Sequence, residues 1–179
     1  MADMILGPDG FSYSGSTNNK NIGTPFYRRH GSNSSTSVTG GWTNIYQSPD
    51  WNIPKKCQLV MNFRCPVRNN TYNWGGMYTR TYYRVNSGSW VDCGHSGYTT
   101  AMGYNKYMIS GHDNMQTFDF LNYTSDFTLG FLVQGTHYNS TNNTGGSHSI
   151  GGADSTAQSD IGASTPWYIY MTLNGWSRP

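Results

Sequence analysis

Charged side chains are scarce in this sequence of 179 residues, and glutamate is missing altogether. Only 11% of the residues are charged, and all nine acids are aspartates. A chain with so few long charged side chains is poorly equipped to solvate the faces of helices. Its abundant Asn, Ser, Thr and Gly are also weak helix formers. The composition therefore favours strands and loops over helices.

Basic side chains are equally sparse, and the formal net charge is +2. Two adjacent pairs occur, Arg28-Arg29 and Lys55-Lys56, while the other basic residues are scattered. Proteins that follow a nucleic-acid backbone present a stripe or patch of Lys and Arg. The sequence has no such stripe, so we expect no nucleic-acid partner and interpret both pairs as solvated surface.

Long apolar runs are missing too. No stretch approaches the roughly 20 residues that a transmembrane helix needs, so we expect no membrane partner. The segment Met1–Gly7 carries an aspartate and a short apolar run. A signal peptide has a basic start and a longer apolar core. We therefore expect that the protein is made in a cytoplasm.

Cysteine is limited to three residues, which leaves one unpaired in any disulfide scheme. Cys57 and Cys65 fall on the same face of one predicted strand, about 26 Å apart at the usual rise per residue. They cannot pair with each other. The sequence therefore predicts buried free thiols at these two positions.

Residues typical of catalytic and metal sites occur without the spacing that those sites need. The histidines form no zinc signature, and no Gly-x-Ser-x-Gly elbow is present. We predict no enzymatic activity, no cofactor and no metal. Two alternatives stay open: one histidine per subunit could meet on a symmetry axis, and a glycan-active enzyme could use Asp113 or Asp119, since glycosidases need two convergent carboxylates.

Alternating apolar side chains predict several strands. Cys57–Cys65 places its odd-numbered residues on one face and ends before Pro66. Phe127–Gly135 alternates in the same way, with Phe, Leu, Phe and Val facing the core. Met77–Val85 is a further strand, and Asn86–Ser89 is typical of a hairpin turn. Short strands with closely spaced turn signals indicate an antiparallel sandwich or barrel.

The chain divides into two parts by composition. Residues 1–37 are dominated by turn residues without periodicity, which predicts an extended N-terminal arm anchored by its aromatic side chains. Residues 38–179 are expected to form a single β-domain. Within it, residues 139–165 form a long polar loop, and loops of this length are usually functional or held by a partner.

The final strand, Trp167–Trp176, has aromatic or aliphatic side chains on both faces. A strand that is apolar on both faces must be covered on both faces. One small domain seldom supplies two covers, and a second copy of the same chain is the simplest source of the other. The strand therefore predicts self-assembly.

Aromatic and arginine side chains cluster in the middle third of the sequence. Tyr and Trp provide rigid contact area and Arg provides hydrogen bonds, as in many binding surfaces. The alternative is that half of these aromatic residues are cross-strand pairs that support a sheet. The predicted ligand surface consists of Trp74, Tyr78, Arg80, Tyr82, Arg84 and Tyr104.

Three segments resemble a phage virion-surface protein with a trimeric jelly roll of the C1q/TNF-like kind: Gly41-Trp42-Thr43, Phe127–Gly135 and Trp167–Trp176. The resemblance covers about residues 38–177 in layout. It implies an antiparallel jelly-roll sandwich, a homotrimer formed through the sheet that contains the final strand, and no catalysis. The residues that it places at or near the trimer axis are Phe131, Val133, Tyr168 and Tyr170.

Such heads often follow a coiled-coil or collagen-like stem, which this sequence lacks. That difference favours a protein seated directly on a capsid or tail lattice through residues 1–37, in contact with the major capsid protein or another virion protein. Our leading hypothesis is a trimeric decoration or cement protein on the virion surface, which stabilises the phage shell. The alternative is a tail receptor-binding protein, an adhesin for host cell-surface glycan.

Overall fold

The computed structural model describes residues 4–7, 10–13, 23–32, 36–69, 75–102, 109–139, 148–150 and 169–178. Every regular element in these ranges is a β-strand, which confirms the predicted all-β class. Within the same ranges, no helix has the length and apolarity that crossing a membrane requires.

Thirteen strands lie in the described residues. Their bounds are β1 (Met4–Gly7), β2 (Gly10–Tyr13), β3 (Thr24–Ser32), β4 (Thr36–Val38), β5 (Thr43–Gln47), β6 (Trp51–Ile53), β7 (Cys57–Asn69), β8 (Gly75–Val85), β9 (Val91–Met102), β10 (Ile109–Phe120), β11 (Phe127–Asn139), β12 (His148–Ile150) and β13 (Ile169–Ser177).

Two antiparallel sheets form the body of the protein. The first sheet contains β3, β13, β7 and β10 side by side, and β12 and β4 extend it beside the far end of β7. The second sheet contains β5, β11, β8 and β9, and β6 continues the line of β5 along β11. β1 and β2 pair with each other in a separate two-stranded sheet.

The pairing follows a simple rule along the chain. Among the eight principal strands, β3 pairs with β13, β5 with β11, β7 with β10 and β8 with β9. Numbered in chain order, the first of these eight strands therefore pairs with the eighth, the second with the seventh, the third with the sixth and the fourth with the fifth. One long hairpin rolled into two sheets gives this order, which is the jelly roll. The predicted fold is confirmed.

The core lies between the two sheets and follows from strict alternation. On β7 the buried side chains are Cys57, Leu59, Met61, Phe63, Cys65 and Val67. Aromatic rings bridge the layers: Tyr46 contacts Phe63 at 5.6 Å between ring centroids, and Phe118 contacts Phe131 at 5.4 Å. Each large apolar side chain buried in this way contributes about 1.5–3 kcal/mol to the free energy of folding.

β7 continues through Pro66 to Asn69, although the sequence predicted that it ends before the proline. β13 pairs with β7 as far as Arg64, and β12 pairs with it from Val67 onward. Pro66 therefore lies in the gap between two successive neighbours. A residue without an N–H is tolerated there because no ladder hydrogen bond is required on that edge.

The turn between β8 and β9 is formed by the predicted residues. Asn86 and Ser87 both have positive φ, 50° and 56°, and the Gly88 N–H donates to the Val85 carbonyl at 2.9 Å. Two successive positive φ angles define a type I′ turn, whose twist matches that of the flanking strands. The hairpin prediction is confirmed.

The first sheet begins earlier than the sequence predicted. β3 lies inside the predicted arm, yet it pairs with β13 over its whole length, from Thr24 opposite Ser177 to Ser32 opposite Ile169. The sheet therefore starts at Thr24 and not near Val38. Turn residues at both ends concealed this strand, which depends on a distant partner. The role of residues 1–23 as an arm stays a prediction.

β13 has one buried face and one partly exposed face. Ile169, Met171 and Leu173 are at most 1% exposed and belong to the core. On the other face, Thr172 and Asn174 separate the two aromatic residues Tyr170 and Trp176. The described strand is thus apolar throughout only on the core side. Its outer side is mixed, and a second cover is needed only where the aromatic residues stand.

Candidate functional site

The outer face of the second sheet carries the predicted ligand-binding residues of β8. Met77, Thr79 and Thr81 point into the core with 0% of their surface exposed. The even-numbered residues therefore face outward, as the pleat requires. Residues from neighbouring loops join them. We call the whole set the aromatic–arginine surface: Trp42, Asp50, Arg80, Tyr82, Arg84 and Trp90.

Arg84 is neutralised within this surface. Its Nε donates to Asp50 Oδ1, and its Nη2 donates to both Asp50 carboxylate oxygens, each at 3.1 Å. The guanidinium also lies 4.7 Å from the ring centroid of Trp90. With its carboxylate partner in place, Arg84 has little charge left to offer a ligand, so its role is structural.

Gly130 on β11 makes room for this ion pair. It is directly opposite Arg84 in the register, and a Cβ at this position would overlap the Asp50 carboxylate. The absence of a side chain therefore lets Asp50, which follows β5, reach across β11 to β8. This role for Gly130 was not visible in the sequence.

Arg80 is held differently. Its Nε donates to Gln134 Oε1 at 2.8 Å, and Gln134 Nε2 in turn donates to Asn44 Oδ1 at 2.7 Å. The guanidinium lies 4.2 Å from the ring centroid of Trp42 and 5.3 Å from that of Tyr82. Such cation–π contacts orient an arginine without neutralising its charge. Among the described residues, no carboxylate forms an ion pair with Arg80.

The structure brings part of the predicted ligand surface together. Tyr78, Arg80, Tyr82 and Arg84 lie on one partly exposed face, while Trp74 and Tyr104 lie outside the described residues. Sequence reasoning missed Trp42, which precedes β5, and also missed Asp50 and Trp90. These three come from separate connections, so spacing along the chain gave no signal for them.

The predicted trimer residues need a correction. Phe131 and Val133 have 0% of their surface exposed within a single chain, so their side chains cannot touch another subunit. Both point into the core because they alternate with the outward residues of β11. Tyr170 is partly exposed on the outer face of β13, and its role in an interface stays a prediction. Tyr168 lies outside the described residues.

The outer face of the first sheet is a second candidate surface. The register places Trp176 beside Gln58, and Asn174 beside Val60 on the next strand. Tyr27, Trp176 and Met115 are exposed by 52%, 39% and 70%, although their side chains are large and apolar. A groove of about 440 Å³ is lined by Pro25, Phe26, Tyr27, Val60, Asn174, Gly175 and Trp176. We call this the first-sheet groove.

The two aspartates that the sequence offered as catalytic candidates, Asp113 and Asp119, lie too far apart to act together. Asp113 is ion-paired with Arg64, while Asp119 accepts hydrogen bonds from Gln58 at 3.2 Å and from the Leu121 N–H at 2.9 Å. Six residues apart on one strand, the two carboxylates are separated by about 20 Å, whereas a glycosidase pair needs roughly 5–10 Å. Within the described ranges, no group of three metal-ligating side chains forms a site.

Burial shifts the pKa values of the three cysteines and of His137. Burial raises the pKa of the Cys57 thiol to about 11 and that of Cys93 to about 12, and it raises the pKa of Cys65 as well. All three cysteines are free, and Cys57 and Cys65 are buried, as predicted. Burial also lowers the pKa of His137. Thiols with raised pKa are poor nucleophiles at neutral pH.

No protein-family description and no curated protein matches this chain. Among solved structures, one of infectious bursal disease virus, Gx strain, superposes with a TM-score of 0.49 at 11% identity, over 99% of this chain and 36% of that chain. T=1 particles derived from infectious bursal virus give 0.48 at 12% identity, over 98% and 43%.

The VP2 subviral particle of infectious bursal disease virus gives a TM-score of 0.46 at 13% identity, over 97% of this chain and 45% of that chain. This chain thus covers less than half the length of each of these three solved chains. At such identities the likeness concerns the fold alone. The jelly roll itself is established by the strand pairing of this chain.

Proposed function

We propose that this protein is a virion structural component that self-associates through the outer face of the first sheet and decorates a phage capsid. The observation that supports it most is the set of three exposed apolar side chains on that face, Tyr27, Met115 and Trp176. Exposed apolar groups gathered on one face are typical of protein interaction sites. The resemblance to phage virion-surface jelly rolls supports the same role.

The occupant that we propose for this face is another copy of the chain, in a homotrimer. The face belongs to the sheet that contains β13, and Tyr170 lies on it one pleat row beyond Thr172. Aromatic residues and Met are enriched at the centres of such interfaces, while charged groups remain at the rim. The ion pair between Arg64 and Asp113 would then lie at the rim, opposite Tyr170.

The oligomeric state of the purified full chain tests this proposal. We expect a trimer in light scattering coupled to size exclusion, and dissociation of the double variant Tyr27→Ser/Trp176→Ser into monomers. The matched control is Trp42→Ser, which changes an exposed aromatic residue on the opposite sheet and should remain trimeric. A wild-type monomer at micromolar concentration would contradict the proposal.

The finer role that we propose is cementing. Residues 1–23 would contact the major capsid protein, and subunits that bind only the assembled shell would stabilise it by mass action. Capsids stripped of the protein should lose their contents at a lower temperature than decorated ones, and adding the protein back should restore the difference. Equal heat stability of stripped and decorated capsids would rule out cementing while leaving self-association intact.

A second candidate function is recognition of host cell-surface glycan by the aromatic–arginine surface, as in a tail receptor-binding protein. The observation that favours it is that Trp42, Arg80 and Tyr82 place two aromatic rings and a guanidinium side by side on the outer face of the second sheet, where a ligand could reach them. Changing Tyr82 or Trp74 to Ala should abolish adsorption of particles to host cells without dissociating the trimer. Unchanged adsorption would speak against this role.

A further inference from the structure

Arg80 and Arg84 lie four residues apart on the same face of β8, with Tyr82 between them on that face, and their surroundings differ in one respect. Arg84 has a carboxylate partner, since Asp50 accepts three hydrogen bonds from it. Arg80 has a side-chain amide as its hydrogen-bond acceptor and aromatic rings as its neighbours. Of these two cations, Arg80 is the one whose charge is not balanced by an acid within the described residues.

The position of Arg80 is nevertheless fixed. The chain of hydrogen bonds from Asn44 through Gln134 engages its Nε, and Trp42 and Tyr82 flank the guanidinium. Holding an arginine in place before the ligand arrives reduces the entropy lost on binding. Its terminal nitrogens are the natural donors for a planar, bidentate anion such as a carboxylate.

The surroundings favour a sugar as the carrier of that anion. Tyr82 and Trp42 are aromatic rings at a partly exposed surface, and aromatic faces give large dispersion contacts with the C–H faces of a pyranose. Asn44 and Gln134 add amide groups that are able to exchange hydrogen bonds with hydroxyls. Leu132, which is opposite Tyr82 on β11 and 8% exposed, provides an apolar floor.

We propose that Arg80 and its neighbours Trp42, Tyr82 and Gln134 bind the anionic group of an acidic sugar. The inference rests on the second candidate function, glycan recognition by this surface, and specifies its ligand class. Two sources share the chemistry: a carboxylated sugar, as in sialic or uronic acids, and a sulfated sugar. The planar fork of the guanidinium matches the carboxylate in geometry, and a sulfate also accepts two of its hydrogen bonds.

The test uses the full-length wild-type chain and three probes: N-acetylneuraminic acid, its methyl ester and galactose 6-sulfate. Binding is followed by NMR titration of the tryptophan indole N–H signals. We expect the free acid to bind at least ten times more tightly than the ester, which has the same shape without the charge. Binding of the acid should also weaken as sodium chloride is added, because salt screens an exposed ion pair. The sulfated sugar shows whether carboxylate geometry or charge alone decides.

Variants assign the effect to Arg80. Arg80→Gln should weaken binding of the acid at least tenfold and leave the ester unchanged, whereas Arg80→Lys should cause a smaller loss because charge remains without the fork. The matched control is Arg64→Gln, on the other sheet, which should bind like wild type. Thermal unfolding of each variant checks folding, and the comparison of acid with ester in the wild type requires no variant.

Each outcome decides the inference. Equal affinity of the acid and its ester, or binding by neither acidic sugar, overturns it. If neutral glycans then still bind and Tyr82→Ala abolishes their binding, glycan recognition by the surface stands without the anionic subsite. If no glycan of any charge binds, both the inference and the second candidate function fail together.

Discussion

Arg84 and Asp50 form an ion pair across the backbone of β11, with Gly130 beneath them. Their side chains are 24% and 22% exposed, and Ser87 Oγ donates a further hydrogen bond to the carboxylate at 3.0 Å. The pair ties the connection after β5 to β8 and to the hairpin turn that follows it. It is therefore a structural clamp on one edge of the aromatic–arginine surface.

Removal of the carboxylate should destabilise the fold. Asp50→Ala leaves a partly buried guanidinium without its partner, and we expect a loss of about 1–2 kcal/mol in the free energy of unfolding, because a quarter of the pair is already screened by water. Urea unfolding measures it. The control is Asp113→Ala, whose partner Arg64 is more than half exposed and should lose little. Equal effects of the two substitutions would contradict the clamp.

A side chain at Gly130 should separate the same pair sterically. Gly130→Ala places a methyl group where the Asp50 carboxylate lies, and we expect destabilisation of about 1–3 kcal/mol from the forced rearrangement. Gly41→Ala is the matched control, since a Cβ there meets nothing within 4 Å. The measurement is again the urea midpoint, and a wild-type midpoint for Gly130→Ala would show that Asp50 does not occupy this position.

Acid should weaken the fold through His137. Burial lowers the pKa of this residue, so the folded state favours the neutral ring, whereas the unfolded chain protonates near the ordinary value of 6.5. The contribution of the neutral ring to the free energy of unfolding is therefore fully present above pH 6.5. It is lost as the pH falls from 6.5 towards the lowered pKa of the folded state. Urea midpoints between pH 7.5 and 5.5 should decline in the wild type and decline less in His137→Gln. Parallel profiles would exclude this histidine as the cause.

The three thiols should resist labelling in the folded protein. Burial raises the pKa of Cys57 to about 11 and that of Cys93 to about 12, so little thiolate exists at pH 8. Cys93 is the least enclosed of the three and should react first. Reaction with a chromogenic disulfide should be slow in buffer and complete in urea. Fast labelling of Cys65, which lies in the core, would contradict the described packing.

The elements that the sequence predicted well are those whose cause is local. The alternation of Cys57–Cys65 and Phe127–Gly135 follows from the pleat and the core. Asn86 opens the turn with a positive φ, which asparagine tolerates better than most residues. The buried state of two cysteines followed from the same alternation. In each case a few neighbouring residues contain all the information required.

The elements that were missed depend on distant partners. β3 has no clear periodicity of its own and is a strand because β13 provides its hydrogen bonds. Phe131 and Val133 were placed at a subunit axis by resemblance, whereas the opposite sheet of the same chain covers them. Trp42 and Asp50 reach the aromatic–arginine surface from separate loops. The spacing of residues along the sequence does not indicate contacts between such distant segments.

The rolled hairpin has a consequence for synthesis on the ribosome. Ser32 on β3 pairs with Ile169 on β13, so about 140 further residues must be synthesised before these two strands can pair. At the usual rate of elongation this takes roughly 7–30 s. The hairpin of β8 and β9 is complete long before that. During this interval the backbone N–H and C=O groups that β3 later shares with β13 have no partner, so the segment presents an open strand edge to other chains. Nascent chains halted before β13 should therefore be sensitive to protease and should aggregate with other unfolded chains.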